Sequence, residues 1–331
     1  MKHKINTLIL LGIFWLILWQ SNAVCAGASQ SIALCCQILI PTLFTPLVFS
    51  KWIAQQAINT PPAFKRAVTI VCGLTGGFLA GFQTYQTAYP NKHDSAQAGA
   101  ALFCAGPAFC IQAVGNMIFH SVPLGVAFYL SSAISCLIVY LVFKGSGNGS
   151  TSPAPVPAIT LLQSFILAVQ SATRAMCTIC AFTVCFGILT SLIQTVFPLA
   201  SPFLPLLEVS TGCSTCPNLG LFGLYIAAFL IGFGGVSILL QCLYFLSGSV
   251  SPVKLIQMRV FSGIVCIFLF SIFFRFVPQK VAQTSAPLLA VSTAQSAIEA
   301  IFLLLFCVSC MCDIYQNLPF FCTHDKIKDM R

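Results

Sequence analysis

Charged side chains are scarce in this chain, and their scarcity excludes most soluble folds. Only 6% of the 331 residues are Asp, Glu, Lys or Arg, whereas a soluble domain carries about 25%. Hydrophobic residues make up 58% of the chain. The sequence therefore predicts an all-α polytopic membrane protein surrounded by a lipid bilayer. The net charge of +9 does not indicate a nucleic-acid partner, because the basic residues stand singly or in pairs beside apolar runs.

Carboxylates are especially few, so few side chains are available for acid–base catalysis. The six Asp and Glu residues form no pair on a single predicted helix, and no His-Glu-x-x-His metal motif occurs. His93 and Asp94 are adjacent, but they lie in a polar interval typical of a solvated loop. We therefore expect no enzyme activity. A catalytic dyad that converges only in three dimensions is the alternative left open.

Cysteine is abundant, with 18 residues, but most of them lie inside apolar runs and act there as small hydrophobic residues. Three clusters have closer spacing: Cys177 and Cys180, Cys213 and Cys216, and Cys307, Cys310 and Cys312. No histidine lies within or directly beside them, so the usual Cys/His ligand set for zinc is missing. We expect neither a metal nor a cofactor, and Cys213 with Cys216 is the strongest pair for the alternative.

The apolar runs divide the chain into five segments. Residues 1–30 form the first span, with a cleaved signal peptide ending near residues 23–26 as the alternative. Residues 31–144 and 159–276 are two halves of similar size, joined by a Gly/Ser/Pro-rich linker at 145–158. Residues 277–331 hold the last span and a charged tail. Lys51, Lys65 and Arg66 mark a cytoplasmic loop, and the positive-inside rule places both termini in the cytoplasm.

Prolines and glycines set the expected ends of the spans. We predict a span over residues 31–49 interrupted by Pro41 and Pro46, and a short span over residues 67–82. Residues 103–119 are apolar but are expected to break at 106–107 and at 115–116. Residues 159–172 are predicted to form an interfacial helix, after which Arg174 opens a separate span. The remaining predicted spans are 124–143, 176–197, 260–274 and 288–312.

The stretch 198–247 is almost entirely apolar, yet it contains four prolines, a Gly-Gly pair and the carboxylate Glu208. Each proline removes a backbone donor and disturbs the preceding turn. Broken backbone at membrane depth is tolerated only where protein or a water-filled cavity surrounds it. A carboxylate in such a place indicates a functional site, and the combination is typical of a transporter. As alternatives, Glu208 pairs with Arg174 or starts a helix near the surface.

Glycine-rich breaks occur in both halves of the chain. They cover residues 74–84 and 105–109 in the first half, and residues 207–213 and 232–237 in the second. Interrupted segments at corresponding positions of two halves point to a transport site between them. The sequence thus predicts two pseudo-symmetric halves with interrupted helices and re-entrant hairpins. The candidate substrate-binding or coupling residues are Gln83, Thr84, Gly106, Pro107, Gln112, Asn116, Arg174, Glu208, Thr211, Gly212, Ser237, Gln241 and Arg259.

Two kinds of candidate residue have equally simple structural explanations. Ser237 with Gln241, and Gln112 with Asn116, are spaced four apart, so each pair shares a helix face. Such pairs present polar groups either to a ligand or to a neighbouring helix. Arg174 and Arg259 are candidates for bidentate pairing with a dicarboxylate, or else they snorkel towards the membrane surface.

Three motifs resemble the YlbJ-type sporulation integral membrane proteins, which carry the nucleoside-recognition (Gate) domain. They are CAGPAFCIQAVG at residues 104–115, EVSTG at 208–212, and GGVSILLQ at 234–241 followed by Arg259. Their order and spacing match over residues 31–276. The chain departs from the family's Gly-aromatic-Pro-x-Gly turn at residues 81–85, where it has Gln83 and Tyr85.

The resemblance implies a fold similar to that of concentrative nucleoside transporters, with hairpins that meet near the middle of the membrane. It also implies a role in spore formation, in which dipicolinate or a similar small planar anion crosses the outer forespore membrane. Coupling to a proton or a cation through Glu208 during alternating access is the expected mechanism. Nucleosides are the alternative substrate, and a membrane scaffold without a substrate is the alternative from another functional class.

Overall fold

A computed structural model of the chain describes residues 2–57, 60–78, 81, 103–143, 160–246 and 251–278. These residues are almost entirely helical, and no strand occurs among them. Five stretches in this part are long and apolar enough to cross a membrane: Ser21–Gln56, Val122–Phe143, Leu161–Val196, Val209–Leu243 and Pro252–Phe276. The chain is therefore an α-helical multi-pass membrane protein, as its composition predicts. The linker at 145–158 and the segment 279–331 lie outside the described residues.

The N-terminal part of the chain, up to residue 56, forms two helical rods. Helix α1 covers Lys2–Trp19, and a turn at Gln20 leads into α2, Ser21–Leu34. A π-helical turn, Cys35–Leu39, joins α2 to α3, Ile40–Gln56. The predicted interruption by prolines is wrong, because the rod continues through Pro41 and Pro46. Pro41 lies two residues after the π-turn ends. The wider hydrogen-bonding pattern of that turn reduces the steric clash that a proline creates with the preceding turn.

The prediction that Lys51 flanks a loop just beyond a span ending at residue 49 needs correction, because α3 continues to Gln56. It is buried in α3, and its ammonium group donates to both the carbonyl oxygen and the hydroxyl of Ser171, each at 2.7 Å. A lysine is tolerated there because Ser171 supplies acceptors from a helix 120 residues further along the chain.

Helix α4 covers Pro62–Thr75 and is shorter than the predicted span. Its 14 residues fall below the roughly 20 that a membrane crossing needs. Pro62 suits the first helical turn, and Gly77 ends the helix with a φ of +90°. The span expected over residues 67–82 is therefore wrong as a single helix, and its end lies outside the described residues.

A hairpin completes the described part of the first half. Residues 103–106 are non-helical, a π-helix covers Ala108–Ile118, and α5 covers Val122–Phe143. The break at Gly106-Pro107 is confirmed, whereas the break predicted at Gly115-Asn116 is wrong. Gly115 serves packing instead: a methyl group added at Gly125 would lie 3.0 Å from the Gly115 Cα atom. The chain turns after the π-helix, at His120.

Helix α6 is a single rod, Leu161–Val196. A capping box starts it, because Thr160 accepts from the Gln163 N–H and the Gln163 side chain accepts from the Thr160 N–H. The predicted division into an interfacial helix and a later span is wrong, since no proline or glycine interrupts residues 161–186. Arg174 therefore lies within α6 and does not open a span.

Small residues let α2 and α6 approach each other closely. A methyl group added at Gly27 would lie 2.7 Å from the Gly187 carbonyl oxygen and 2.8 Å from the Ser191 Cβ atom. The Ser191 hydroxyl donates to the Ala23 carbonyl oxygen at 2.8 Å. Small residues and interhelical hydrogen bonds are the usual means of helix association in lipid.

Replacement of Gly27 by alanine is expected to destabilise the protein by about 1–3 kcal/mol, because α2 and α6 must separate to admit the methyl group. Gly12→Ala is the matched control, since Gly12 also lies in an N-terminal helix but has no atom within 4 Å of the added group. Thermal unfolding in detergent should show a lower midpoint for Gly27→Ala alone. Equal midpoints for the two variants would contradict close packing at this interface.

The second half has the broken backbone that its prolines predict. After α6 come a 3₁₀-helix Pro198–Leu206, the short helix α7, Val209–Thr215, and a second 3₁₀-helix, Cys216–Leu219. Helix α8 covers Gly220–Phe233, α9 covers Gly235–Leu246, α10 covers Pro252–Phe273, and a 3₁₀ turn covers Phe274–Phe276. The stretch from α7 to α9 is the most deeply buried of the five apolar stretches. The interrupted segment thus runs through the centre of the bundle. The pseudo-symmetry of the two halves stays a prediction.

Candidate functional site

Backbone breaks from both halves meet around one cavity. Its empty space, including the part that opens to the outside, is about 540 Å³. The apolar lining comes from Leu39, Leu43, Leu47, Phe78, Phe109, Ile179, Val209 and Ile238, and the remaining lining from Gly76, Gly77, Gly106, Thr183, Glu208, Ser210 and Gln241. Among these described lining residues none is Lys, Arg or His. The cavity is therefore mostly apolar, with one carboxylate and a few neutral polar groups.

Glu208 is held at the start of α7 by its own helix. It is the N-cap residue, in an extended conformation, and its Oε2 atom accepts from the Thr211 N–H at 2.6 Å. The side chain is only 3% exposed. No other Asp or Glu lies in the described part of the chain, and Glu208 has no ion-pair partner there. A buried carboxylate without a countercharge is costly to keep ionised.

Neither simple alternative for Glu208 describes the structure fully. Arg174 is exposed on α6, whereas the Glu208 carboxylate is buried and accepts from the Thr211 N–H. Glu208 does start a helix, but that helix is central rather than close to the surface, since Val209 and Ser210 are buried as well.

The break between α8 and α9 packs directly on Glu208. Gly234 and Gly235 have φ values of +90° and +79°, which favour glycine. A methyl group added at Gly235 would lie 3.4 Å from the Glu208 Cα atom. The Ser237 N–H donates to the Leu207 carbonyl oxygen at 2.9 Å. These contacts fix the start of α9 against the segment that carries the carboxylate.

The two glycine-rich breaks of the first half also pack against each other, at Gly77 and Gly106. A methyl group added at Gly106 would lie 2.8 Å from both the Gly77 nitrogen and the Thr75 carbonyl oxygen. Gly106 therefore allows two backbone segments to meet at the cavity wall, while Pro107 begins the π-helix beside it. Gln83 and Thr84, the other candidates from this half, lie outside the described residues.

Gln241 and Ser237 form a polar pair on α9. Both are buried, and the Gln241 Nε2 atom donates to the Ser237 hydroxyl at 3.2 Å. The Gln241 Oε1 atom is also buried and has no hydrogen-bond partner. Gly212 has a packing role, because a methyl group added there would collide with the Pro205 carbonyl oxygen.

Three candidates are exposed and lie away from the cavity. Gln112 and Asn116 lie on the exposed face of the π-helix, where the Asn116 amide donates to Gln112 at 3.5 Å. Arg174 is exposed on α6. The spacing of four correctly predicts that Gln112 and Asn116 share one helix face. Because of the π-helical winding and the hairpin, that face points outwards.

Arg259 is buried, but its guanidinium group is directed at backbone carbonyl groups. Its Nε atom donates to the Phe233 carbonyl oxygen at 2.9 Å, and its Nη1 atom donates to that of Phe103 at 2.6 Å. Its Nη2 atom donates to the Gly232 carbonyl oxygen at 2.5 Å. Two of these carbonyls belong to the last turn of α8, which lacks intrahelical partners. Arg259 therefore joins α10 to the end of α8 and to the first half.

Sequence reasoning missed the walls that α3 and α6 supply. Leu39, Leu43 and Leu47 share one face of a helix, and Thr183 adds a buried hydroxyl from α6. An apolar face at helical spacing looks the same whether it meets lipid or a cavity. For Phe78 there is one local signal of a place in the cavity lining, the Gly-Gly pair at residues 76–77 directly before it.

The cysteine pair in α7 and the following 3₁₀-helix is buried in the bundle. Cys213 and Cys216 are both inaccessible, and the Cys216 thiol donates to the Gly212 carbonyl oxygen at 3.2 Å. Within the described ranges, no group of three or more His, Cys, Asp or Glu side chains is placed to hold a metal ion.

The cavity thus combines four backbone breaks, one lone carboxylate and an unpaired amide oxygen. Comparison of the chain with models of protein families, with curated proteins and with solved structures gives no match.

Proposed function

We propose that this protein is a membrane transporter that carries a small solute through the cavity by alternating access, with a proton bound and released at Glu208. The observation that supports this function best is the buried carboxylate at the junction of four backbone breaks. In membranes, ionisable residues in such surroundings mark substrate and proton pathways.

The coupling follows from the cost of burying a charge. The Glu208 carboxylate has neutral donors from Thr211 and Ser210, but no cation lies beside it in the described part of the chain. Closing the site around an ionised carboxylate is therefore unfavourable, and closing it around the neutral acid is not. A proton taken up on one side of the membrane enables closure, and its release on the other side follows when water reaches the site.

The moving parts in this proposal are the glycine breaks. Gly234 and Gly235 separate α8 from α9, and Gly76 with Gly77 ends α4. Residues at the ends of helices absorb the backbone changes of hinge motions. Because α9 contacts the Glu208 segment through Gly235 and Ser237, a change at the carboxylate reaches the hinge directly.

The substrate remains the planar anion that the YlbJ-type resemblance implies, and spore formation at the outer forespore membrane remains the proposed setting. Phe78 and Phe109 supply an aromatic, apolar wall, with ring centres 6.2 Å apart in an edge-to-face arrangement. The Arg259 guanidinium lies 5.8 Å from the Phe78 ring centre, so it adds positive potential behind that wall. An anion would enter while Glu208 carries its proton. Nucleosides are the second class.

The test is uptake into proteoliposomes under an imposed pH gradient, with dipicolinate, benzene dicarboxylates and nucleosides as solutes. We expect at least one of them to accumulate on the alkaline side, and the same solute to raise the unfolding temperature in detergent. A ligand at about a hundred times its dissociation constant stabilises by about 2.7 kcal/mol. Neither uptake nor stabilisation with any solute, in a folded sample, would favour a scaffold.

A further inference from the structure

We infer that Gln241, oriented by Ser237, selects solutes that donate a hydrogen bond to its Oε1 atom. This inference rests on the proposed transport function and narrows its substrate class.

The amide of Gln241 has one satisfied end and one free end. Its Nε2 atom donates to the Ser237 hydroxyl at 3.2 Å, while its Oε1 atom is buried and receives no donor. The whole side chain is 3% exposed and lines the cavity. A buried acceptor without a donor costs free energy that a donor-bearing ligand would recover.

Ser237 is the positioning residue for this amide. It is 1% exposed, and its own N–H is bound to the Leu207 carbonyl oxygen at 2.9 Å. The backbone of Ser237 is fixed by the Leu207 contact, and its hydroxyl accepts from the nitrogen end of the amide, so the oxygen end is left without a partner beside the cavity. Without the Ser237 hydroxyl, the amide is free to rotate and to present either end.

The second acceptor in the cavity is the Glu208 carboxylate, and no described lining residue is Lys, Arg or His. A solute with acceptors alone leaves Gln241 Oε1 unpaired, whereas a flat solute with N–H donors satisfies it. A fully ionised dicarboxylate has no donor. The substrate class indicated is a small planar solute that carries N–H or O–H donors, including an anion only in a protonated form.

Three ligands of nearly the same shape separate donors from charge: pyridine-2,6-dicarboxamide, 2,6-diacetylpyridine, and pyridine-2,6-dicarboxylate. Only the diamide has donors, and only the dicarboxylate is charged. Equilibrium binding to the full-length protein in detergent should favour the diamide over the diketone by about tenfold or more. Gln241→Met should bring that ratio close to one, and Ser237→Ala should lower it, because the freed amide presents its oxygen only part of the time. Ser132→Ala, which removes a buried hydroxyl from α5 away from the cavity, should leave the ratio unchanged.

Equal affinity for diamide and diketone in the wild type would overturn the inference, as would a ratio that survives in Gln241→Met. Binding of none of the three ligands by a folded sample would also overturn it. The transport proposal is judged separately by uptake under a pH gradient. Proton-driven uptake of a fully ionised dicarboxylate that is indifferent to Gln241→Met would sustain transport and refute the donor requirement.

Discussion

Replacement of Glu208 by glutamine is expected to abolish accumulation of solute by a pH gradient while leaving binding and exchange in place. Glutamine has nearly the same shape as glutamate, and its Oε1 atom can still accept from the Thr211 N–H, so the start of α7 is preserved. What the amide cannot do is take up and release a proton. The variant should therefore carry solute only down its own gradient.

The expected effect is large and simple to measure. One proton moved with each solute molecule gives about tenfold accumulation for each pH unit when the membrane potential is clamped at zero, since 1.4 kcal/mol corresponds to a factor of ten. Glu208→Gln should reduce this ratio to one at every pH gradient. Accumulation ratios in proteoliposomes, measured at gradients of different size, provide the test.

Glu208→Asp is the matched control for that experiment. Aspartate keeps a titratable carboxylate at the start of α7 and caps helices well. We expect slower transport, because the shorter side chain withdraws the carboxylate from the cavity, but accumulation that still rises with the pH gradient. If Glu208→Gln accumulates solute as well as the wild type, the proton is not carried at Glu208.

The broken centre of this fold was predictable because its causes are local. Four prolines and a glycine pair within residues 198–247 disrupt regular helix wherever they occur, and Glu208 among them marks the site. The structure contains these breaks. The Ser237 and Gln241 pair was predictable for the same reason, since a spacing of four fixes a shared helix face without reference to the rest of the chain.

The lining of the cavity and the surroundings of the basic residues depend on contacts between segments far apart in the sequence, so the sequence did not reveal them. Leu43 faces the cavity while Phe49, on the same helix, is 48% exposed, and both are equally apolar. Lys51 resembles a loop lysine until Ser171 provides its acceptors. Arg174 was expected to open a span, but its surroundings in α6 contain no residue that ends a helix. For Leu43 and Lys51 the deciding partner lies on another helix, whereas the position of Arg174 follows from the sequence around it.

Replacement of Arg259 by methionine is expected to destabilise the protein by about 3 kcal/mol or more, the largest stability effect we expect of any side-chain truncation here. The variant removes three donors from the carbonyls of Phe103, Gly232 and Phe233. The Phe103 carbonyl keeps only the weak Cys136 thiol donor at 3.0 Å. Each lost hydrogen bond to a charged group costs about 1.5–3 kcal/mol, and no water replaces the donor inside a bilayer. Arg259→Lys should recover only part of the lost stability, because a single ammonium group cannot reproduce the branched set of donors of the guanidinium group.

Arg275→Met is the control, because Arg275 follows the same helix but is exposed. That change should alter stability by less than about 0.5 kcal/mol. Thermal unfolding in detergent should rank the proteins as wild type and Arg275→Met, then Arg259→Lys, then Arg259→Met. The same series distinguishes a structural arginine from a substrate ligand: a ligand lost from Arg259→Lys would weaken solute binding without lowering the unfolding temperature of the unliganded protein. The three carbonyl contacts predict the opposite, a lower unfolding temperature in the absence of any solute.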